Sequence, residues 1–281
     1  MIELAQLARA LGGTVSGGQV LCPGPGHSPR DRSLAVALST TAPDGFVIFS
    51  HADDDWRDCR DHVMARLGHA RRKHRQRQAI NRSAAAVALW NGAKDPGPII
   101  ERYLSGRGLQ LPDDVAGRVV RFHPNCPWRG DDGMVVPRTA MLTAFRTIVD
   151  DHLVAVHRTL LADDGSKIGR RMLGPVGGAA IKIDQDEDVE YGLAVGEGFE
   201  TGLAGRVLGF RPVWALGSVG AIAAMPVLSG IDALTILAET DDSGANARAV
   251  KTCGKRWFDA GREVILVTPN IIGDMNDAVL T

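Results

Sequence analysis

Two stretches near the C-terminal end decide the fold: Leu-Ala-Val-Gly-Glu-Gly-Phe-Glu-Thr at residues 193–201, and Ile-Leu-Ala-Glu-Thr-Asp-Asp-Ser-Gly-Ala-Asn-Ala at residues 236–247. Each is a short apolar run that ends in acidic residues and leads into a helical pattern. Such a pattern is typical of a buried parallel strand that feeds a helix. The sequence therefore places Glu197, Glu239 and Asp241 at the carboxyl ends of strands.

A third acidic stretch, Gly-Asp-Met-Asn-Asp at residues 273–277, follows the apolar run at residues 264–267. In open α/β sheets ligands bind beyond the carboxyl ends of the strands, so carboxylates from successive strands can meet at one cation. A set of acids without His or Cys favours Mg²⁺ or Mn²⁺ over zinc, and such ions serve phosphoryl transfer. The expected ligands are Glu197, Glu239, Asp241, Asp274 and Asp277.

Strand and helix patterns alternate from residue 193 to residue 267, which predicts a doubly wound parallel layer. The longest helix is predicted over residues 243–260, where Gly261 ends it. Its positive N-terminal end would lie at the acidic cluster and lower the cost of keeping Asp241 ionised.

The order of these acids, a Glu after one strand, an acid-x-Asp pair after another and a late Asp-x-Asn-Asp, resembles the Toprim domain of bacterial-type primases, topoisomerases and some nucleases. The resemblance implies an α/β fold with a Toprim-type parallel sheet flanked by helices. It also implies that Glu197 is a metal ligand or general acid/base and that the Glu239/Asp241 pair holds metal. Primases usually carry Asp where Glu239 stands, so this carboxylate lies one methylene further out, roughly 1 Å.

The composition sets the remaining bounds. A chain of 281 residues is long enough for more than one compact unit. A formal net charge of -1 gives no global basic field, so any nucleic-acid contact must come from local patches. Four cysteines without a signal peptide or a long apolar stretch lead us to expect a reduced cytoplasmic protein without a membrane segment.

Two Cys/His pairs flank a predicted hairpin near the N-terminus: Cys22 with His27, and Cys59 with His62. Four such ligands can form a tetrahedral zinc site. This arrangement resembles the zinc-ribbon-like module of bacterial and phage primases, whose order is Cys-x2-His followed by Cys-x2-Cys, although the spacing here differs. In the alternative interpretation Cys59 packs under the following helix, and His27, His51 and His62 are solvated.

Basic residues are concentrated in two places. The run at residues 71–77 is interpreted as a linker or an exposed helix, or alternatively as a patch that follows nucleic-acid phosphates. A strand-rich block then carries a local excess of cations over residues 146–182, which predicts an anion-binding face. This block resembles the mixed subdomain that precedes Toprim in primases. The candidates for binding nucleic acid or NTP are Arg146, Arg158, Lys167, Arg170, Arg171 and Lys182.

The predicted organisation has four parts. They are a zinc-ribbon-like nucleic-acid-binding module at residues 1–70, a basic linker or helix at 71–95, a mixed α+β primase-like subdomain at 96–188 and a Toprim domain at 189–281.

This order resembles Toprim primases of phages, plasmids and other mobile elements, which implies synthesis of short RNA primers on a single-stranded DNA template from NTPs. The alternatives are a Toprim nuclease, with water as the nucleophile, and a non-catalytic nucleic-acid-binding or replisome-binding relic. A topoisomerase needs a nucleophilic tyrosine, and neither Tyr103 nor Tyr191 lies in a suitable pattern. Because no P-loop is present, a primase would depend on a separate replicative helicase.

Overall fold

The computed structural model describes residues 3–42, 44–240 and 244–280, apart from the side chains of residues 69–75 and 77. The chain divides into two compact units, Met1–Ile80 and Asn81–Thr281. None of the described helices combines the length and the apolar composition that crossing a membrane requires.

The N-terminal unit is an antiparallel sheet in the order β1-β2-β3-β4, covered by helices. Leu7 and Leu11 lie one turn apart on the buried face of the first helix, and Leu34 and Val36 alternate inward from β3. Its elements are α1 (Leu4–Leu11), β1 (Thr14–Ser16), β2 (Gln19–Cys22), β3 (Leu34–Leu38), β4 (Phe46–Ser50) and the start of α2 (Trp56–Asn91).

Helix α2 contains the basic run at residues 71–77, for which the sequence left a linker and an exposed helix open. Its backbone is helical without a break through residues 71–77. Between Gly68 and Gly92 the chain contains no Gly or Pro and is rich in Arg, Gln and Ala, all good helix formers, so nothing ends the helix there. The basic side chains of that run lie outside the described part of the structure.

The C-terminal unit is built on one continuous sheet, in the order β13-β12-β10-β11-β9-β6-β7-β8, with β5 paired to β6. Its elements are α3 (Pro98–Ser105), β5 (Val120–Arg129), β6 (Val135–Thr147), β7 (Leu153–Leu161), β8 (Lys167–Leu173), β9 (Ala179–Lys182), a 3₁₀ helix (Asp186–Asp188), β10 (Gly192–Gly196), α4 (Phe199–Val207), β11 (Val213–Ala215), α5 (Val219–Ala224), β12 (Ala233–Leu237), α6 (Ala245–Asp259), β13 (Glu263–Val267) and α7 (Met275–Val279).

The predicted doubly wound layer is confirmed over β10 to β13. These strands are parallel neighbours, and successive residues of β10 pack on opposite faces: Ala194 with Leu203 of α4, and Val195 with Trp257 of α6. Helix α4 lies so close to the sheet at Gly202 that a β-carbon there would come within 2.6 Å of Cδ1 of Ile183. The helix begins at Phe199, two residues after Glu197.

Strand β9 joins the parallel strands to the antiparallel strands. It pairs antiparallel with β11 on one side and with β6 on the other. The predicted border between residues 96–188 and 189–281 falls just after β9, and this division stays a prediction. The sheet itself runs through both segments.

A buried carboxylate secures this junction. Asp184, two residues after β9, is fully buried; Oδ1 accepts hydrogen bonds from Nε and Nη2 of Arg211 at 3.0 and 2.6 Å, and Oδ2 accepts one from the Val213 amide at 2.8 Å. The Asp184 carbonyl also accepts a bond from the Trp214 indole at 3.1 Å. Both ends of this residue therefore hold β11 against β9.

Replacing Asp184 with Ala should reduce the free energy of unfolding by about 3 kcal/mol, since the buried Val213 amide would lose its acceptor and the Arg211 guanidinium would lose its charged partner. Urea unfolding followed by circular dichroism measures the change. The exposed Asp163→Ala variant serves as control and should change stability by less than about 0.5 kcal/mol. Equal stability of the two variants would show that Asp184 does not hold the junction.

Candidate active site

Three carboxylates approach one another where the parallel strands end. Glu197 directly follows β10, and Glu239 lies just beyond β12, the parallel neighbour of β10. Because the two strands run in the same direction, their carboxyl ends share one edge of the sheet. Asp274 reaches this edge as the N-cap of α7. The structure thus brings together three of the five predicted acidic ligands.

The Thr201 hydroxyl joins two of these acids. Its Oγ1 lies 2.9 Å from Oδ2 of Asp274 and 3.4 Å from Oε1 of Glu239. Thr201 is itself buried, one turn after Glu197 in α4. Sequence reasoning missed this residue, because a lone Thr in a helix carries no chemical signature until its partners are known.

The carboxylates perturb one another. Burial raises the pKa of Glu239 to about 7, and the charges of Glu197 and Asp274 add to this rise. The hydrogen bond from Thr201 and the charge of Arg170 act in the opposite direction, with smaller effect. Ionising all three acids at once is therefore energetically costly. A bound cation would lower that cost by compensating their negative charge.

Backbone contacts fix the loops that carry the acids. The Glu239 amide donates to Oδ1 of Asn246, a residue 1% exposed, at 3.1 Å. Thr240 and Gly273 exchange backbone hydrogen bonds of 2.9 and 3.2 Å, which tie the loop after β12 to the loop before α7. Gly273 has φ +134, and a β-carbon there would collide with the Asp277 carboxylate, so glycine is required at this position.

Asp277 has a structural partner in the same motif. Its Oδ2 accepts the Asp274 amide at 3.0 Å, while Oδ1 of Asp274 accepts the Asp277 amide at 3.1 Å. This reciprocal capping box sets the orientation of the Asp274 side chain. The predicted role of Asp277 as a metal ligand stays a prediction.

Arg107 clamps the same corner from the end of α3. Its Nη1 donates to Oδ1 of Asn276 at 2.7 Å, and Nδ2 of Asn276 donates back to the Arg107 carbonyl at 2.6 Å. Asn276 is fully buried, and its backbone amide donates a hydrogen bond to Oδ1 of Asp274 at 2.8 Å. The clamp therefore supports Asp274, and sequence reasoning missed it because its partners are 169 residues apart.

Tyr103 and Glu200 form a second contact that sequence reasoning missed. The phenol donates to Oε1 of Glu200 at 2.5 Å, and burial together with the charge of Glu200 raises the pKa of Tyr103. Tyr103 is thus a buried hydrogen-bond donor. Glu200 lies in the first turn of α4, where the positive end of the helix dipole stabilises an acidic side chain. In the sequence, its position three residues after Glu197 was the signal that could have identified it.

Two of the predicted basic residues face the acids. The charges of Glu200 and Asp274 both act on Lys167, although burial and the neighbouring Arg107 lower its pKa. Arg170, from the same strand β8, acts on Glu239. Burial also lowers the pKa of the nearby His157 to about 4, so this imidazole is neutral at pH 7. We call Lys167 and Arg170 the basic wall, because their charges and those of the nearby acids act on one another. The acidic edge is the edge of the sheet that carries Glu197, Glu239 and Asp274.

Arg158 and Arg171 occupy a different surface. They are cross-strand partners on β7 and β8, and both guanidinium groups lie over the Trp128 ring, at 5.6 and 4.7 Å. Because consecutive residues of a strand point to opposite faces, Arg171 lies away from Glu239, on which the charge of its neighbour Arg170 acts.

Lys182 and Arg146 lie elsewhere. Lys182 is 2% exposed; its ammonium is 2.6 Å from Asp186 and 3.1 Å from Asp151. Arg146 bonds to Asp151, and these residues line a cavity of about 280 Å³. With two carboxylates neutralising it, Lys182 is placed for a structural ion pair, and its predicted role in nucleic-acid binding stays a prediction.

The four predicted zinc ligands of the N-terminal unit are not grouped as a metal site among the described residues. Cys22 and Cys59 are buried in the apolar core of the N-terminal unit, whereas His27 makes hydrogen bonds to Asp31 and Asp54. His62 shares a hydrogen bond with the Pro23 backbone, and burial lowers its pKa. The zinc prediction, made for Cys22, His27, Cys59 and His62, therefore finds no support.

Asp241 lies outside the described residues, so its relation to the other acids is not defined. Within residues 3–42, 44–240 and 244–280, no group of three or more His, Cys, Asp or Glu side chains is close enough to hold a metal ion. The acidic edge is nevertheless the place where hard oxygen ligands and excess negative charge coincide.

Comparisons with known proteins agree with this architecture. Residues 192–281 match the family model of the Toprim domain, and residues 80–183 match a domain of unknown function, DUF7146. No curated protein sequence matches the chain.

Two solved structures share the fold at low sequence identity. A DNA primase domain from Pseudomonas aeruginosa is 15% identical, with 71% of this chain and 74% of that chain covered and a TM-score of 0.50. The DnaG primase catalytic domain bound to ssDNA is 15% identical, with 74% and 78% covered and a TM-score of 0.52. The chain therefore carries a Toprim domain at residues 192–281 and has the fold of DnaG-type primase catalytic domains.

Proposed function

We propose that this protein is a DNA primase that makes short RNA primers on single-stranded DNA by metal-dependent nucleotidyl transfer. The observation that carries the proposal is the convergence of Glu197, Glu239 and Asp274 on one edge of a Toprim sheet, opposite Lys167 and Arg170. Acids for a divalent cation and cations for phosphates are the two components that nucleotidyl transfer needs. Single-stranded DNA and NTPs are the proposed substrates, and a separate helicase is the proposed partner.

The chemistry of the acidic side chains fits Mg²⁺ or Mn²⁺. Carboxylates are hard oxygen ligands, and the pKa of Glu239, raised by burial and by the charges of Glu197 and Asp274, supports a place where a cation would stabilise the ionised acids. Glu197, Glu239, Asp241 and Asp274 would hold the ion or ions, with Asp277 as a further candidate. When bound, the metal would lower the pKa of the attacking hydroxyl and neutralise charge on the leaving phosphates.

The chain's own side chains then have defined tasks. Glu197, placed between two glycines that let a substrate approach, is proposed to bind metal or to take the proton of the attacking 3′-hydroxyl. The new bond joins the 3′-oxygen to the α-phosphorus of the NTP, and the bond to the β-phosphate breaks to release pyrophosphate. Lys167 and Arg170 would bind the triphosphate or template phosphates.

The longer side chain of Glu239 is accommodated by its surroundings. Its amide is fixed by Asn246 and its carboxylate by Thr201, so the position of the group is set by hydrogen bonds at both ends. These contacts support a ligand role for Glu239 in place of the usual Asp.

The acidic residues are tested with single-stranded DNA, labelled NTPs and Mg²⁺. Glu197→Gln and Glu239→Gln should each reduce primer synthesis by about 100-fold or more, because several kcal/mol of transition-state stabilisation depend on the ligand charge. Glu190→Gln, at an exposed glutamate outside the site, should match wild type.

The products of the same assay separate the alternatives. Short RNA that only wild type and Glu190→Gln make supports the primase. DNA shortening without RNA would instead indicate a Toprim nuclease, and DNA binding without either product would indicate a non-catalytic role.

Neighbouring arginines provide a matched test of the basic wall. Arg170→Ala should raise the KM for NTP or the Kd for single-stranded DNA by about tenfold, since a charge facing the acidic edge is lost. Arg171→Ala removes the same charge from the opposite face and should change either constant less than twofold, within about 0.4 kcal/mol. Equal effects of the two substitutions would contradict the assignment of the two faces.

A further inference from the structure

The two loops of the N-terminal unit that carry the predicted zinc ligands are joined by a histidine. Nδ1 of His27 lies 2.9 Å from Oδ2 of Asp31, in its own loop, and Nε2 lies 3.1 Å from Oδ1 of Asp54, in the loop after β4. Both ring nitrogens are therefore engaged by carboxylates. With a carboxylate oxygen within hydrogen-bonding distance of each ring nitrogen, neither nitrogen is open to a metal in this arrangement.

Each carboxylate is in turn fixed within its own loop. Oδ2 of Asp31 accepts the Ser33 hydroxyl at 2.5 Å and the Ser33 amide at 3.2 Å. Asp54 accepts the Ser50 hydroxyl at 2.8 Å, and the Asp54 amide donates back to that hydroxyl at 3.2 Å. The cluster thus holds the His27 ring between two carboxylates that are each fixed by a neighbouring serine.

The space around the cluster is closely filled. A β-carbon on Gly24 would come within 2.8 Å of Oδ2 of Asp54 and 3.2 Å of Nδ1 of His27. The first loop therefore packs directly on the bridge, and the contact between His27 and Asp54 occupies the position where the two loops meet.

The two thiols do not supply the other half of a metal site. Cys22 is fully buried, its Sγ lies 3.5 Å from the Leu34 carbonyl, and burial raises its pKa to about 11. Burial also raises the pKa of Cys59. Both thiols are therefore used in the packing of the apolar core, and the Cys22 thiol is also used in its contact with the Leu34 carbonyl.

We propose that the N-terminal unit is fastened by His27 bridging Asp31 and Asp54, and that it needs no zinc to hold these loops together. The hydrogen-bonded bridge takes the structural role that a metal has in zinc-ribbon modules. This inference is independent of the reaction proposed for the C-terminal unit.

Metal content gives the first test, made on the full-length wild-type protein expressed in zinc-supplemented medium. Elemental analysis should find less than about one zinc per ten chains, and a strong chelator should shift the Tm by less than about 1 °C. One zinc per chain, or a chelator-induced loss of hydrogen-exchange protection in residues 20–60, would overturn the proposal.

Two substitutions test the bridge itself by hydrogen exchange in the full-length protein. His27→Ala and Asp54→Asn should each accelerate exchange at residues 23–33 and 50–55 by about tenfold, because the loops lose their link. His51→Ala, at an exposed histidine of the same loop, should leave both segments as in wild type. If His27→Ala unfolds the unit, Asp54→Asn still decides. Wild-type exchange rates in Asp54→Asn would refute the bridge.

Discussion

The central constraint is the crowding of like charges at the end of two parallel strands. Glu197 and Glu239 are brought together because β10 and β12 are neighbours that run in the same direction, and the cap of α7 adds Asp274. Burial, together with this crowding, raises the pKa of Glu239, and the arrangement would be costly unless a cation were bound for part of the protein's working cycle. The hydrogen bonds of Thr201, Asn246 and Asn276 maintain this geometry.

The remainder of the C-terminal unit positions positive charge against that edge. Through β9 the parallel strands continue into an antiparallel sheet whose strand β8 carries Lys167 and Arg170. Because the sheet is continuous, the acids and the cations are held on one framework. The alternation of strand residues also separates Arg170 from Arg171, which stacks on Trp128 of the opposite face. Fold and site electrostatics are therefore consequences of the same strand pairing.

Local patterns were sufficient for part of this account. The strand ends at Glu197 and Glu239 and the doubly wound layer follow from short apolar runs, whose periodicity is visible in sequence.

The positions of the basic side chains could not be predicted from the sequence. Lys182 is buried by its pairing with Asp151 and Asp186, and only the assembled sheet creates these contacts. The zinc prediction found no support for a similar reason, because the partners of His27 are carboxylates brought near by folding. Tyr103 and Arg107 likewise act on residues far away in sequence.

Calorimetric titration of Mn²⁺ into the metal-free protein tests the central claim most directly. A ligand that is protonated must lose its proton before it binds metal, so affinity should rise with pH across the raised pKa of Glu239. We expect binding at pH 8, about tenfold weaker binding at pH 6, and a smaller pH dependence with weaker binding in Glu239→Gln. Absence of binding at pH 8, or an equal affinity of the variant, would contradict the assignment of this edge as the metal site.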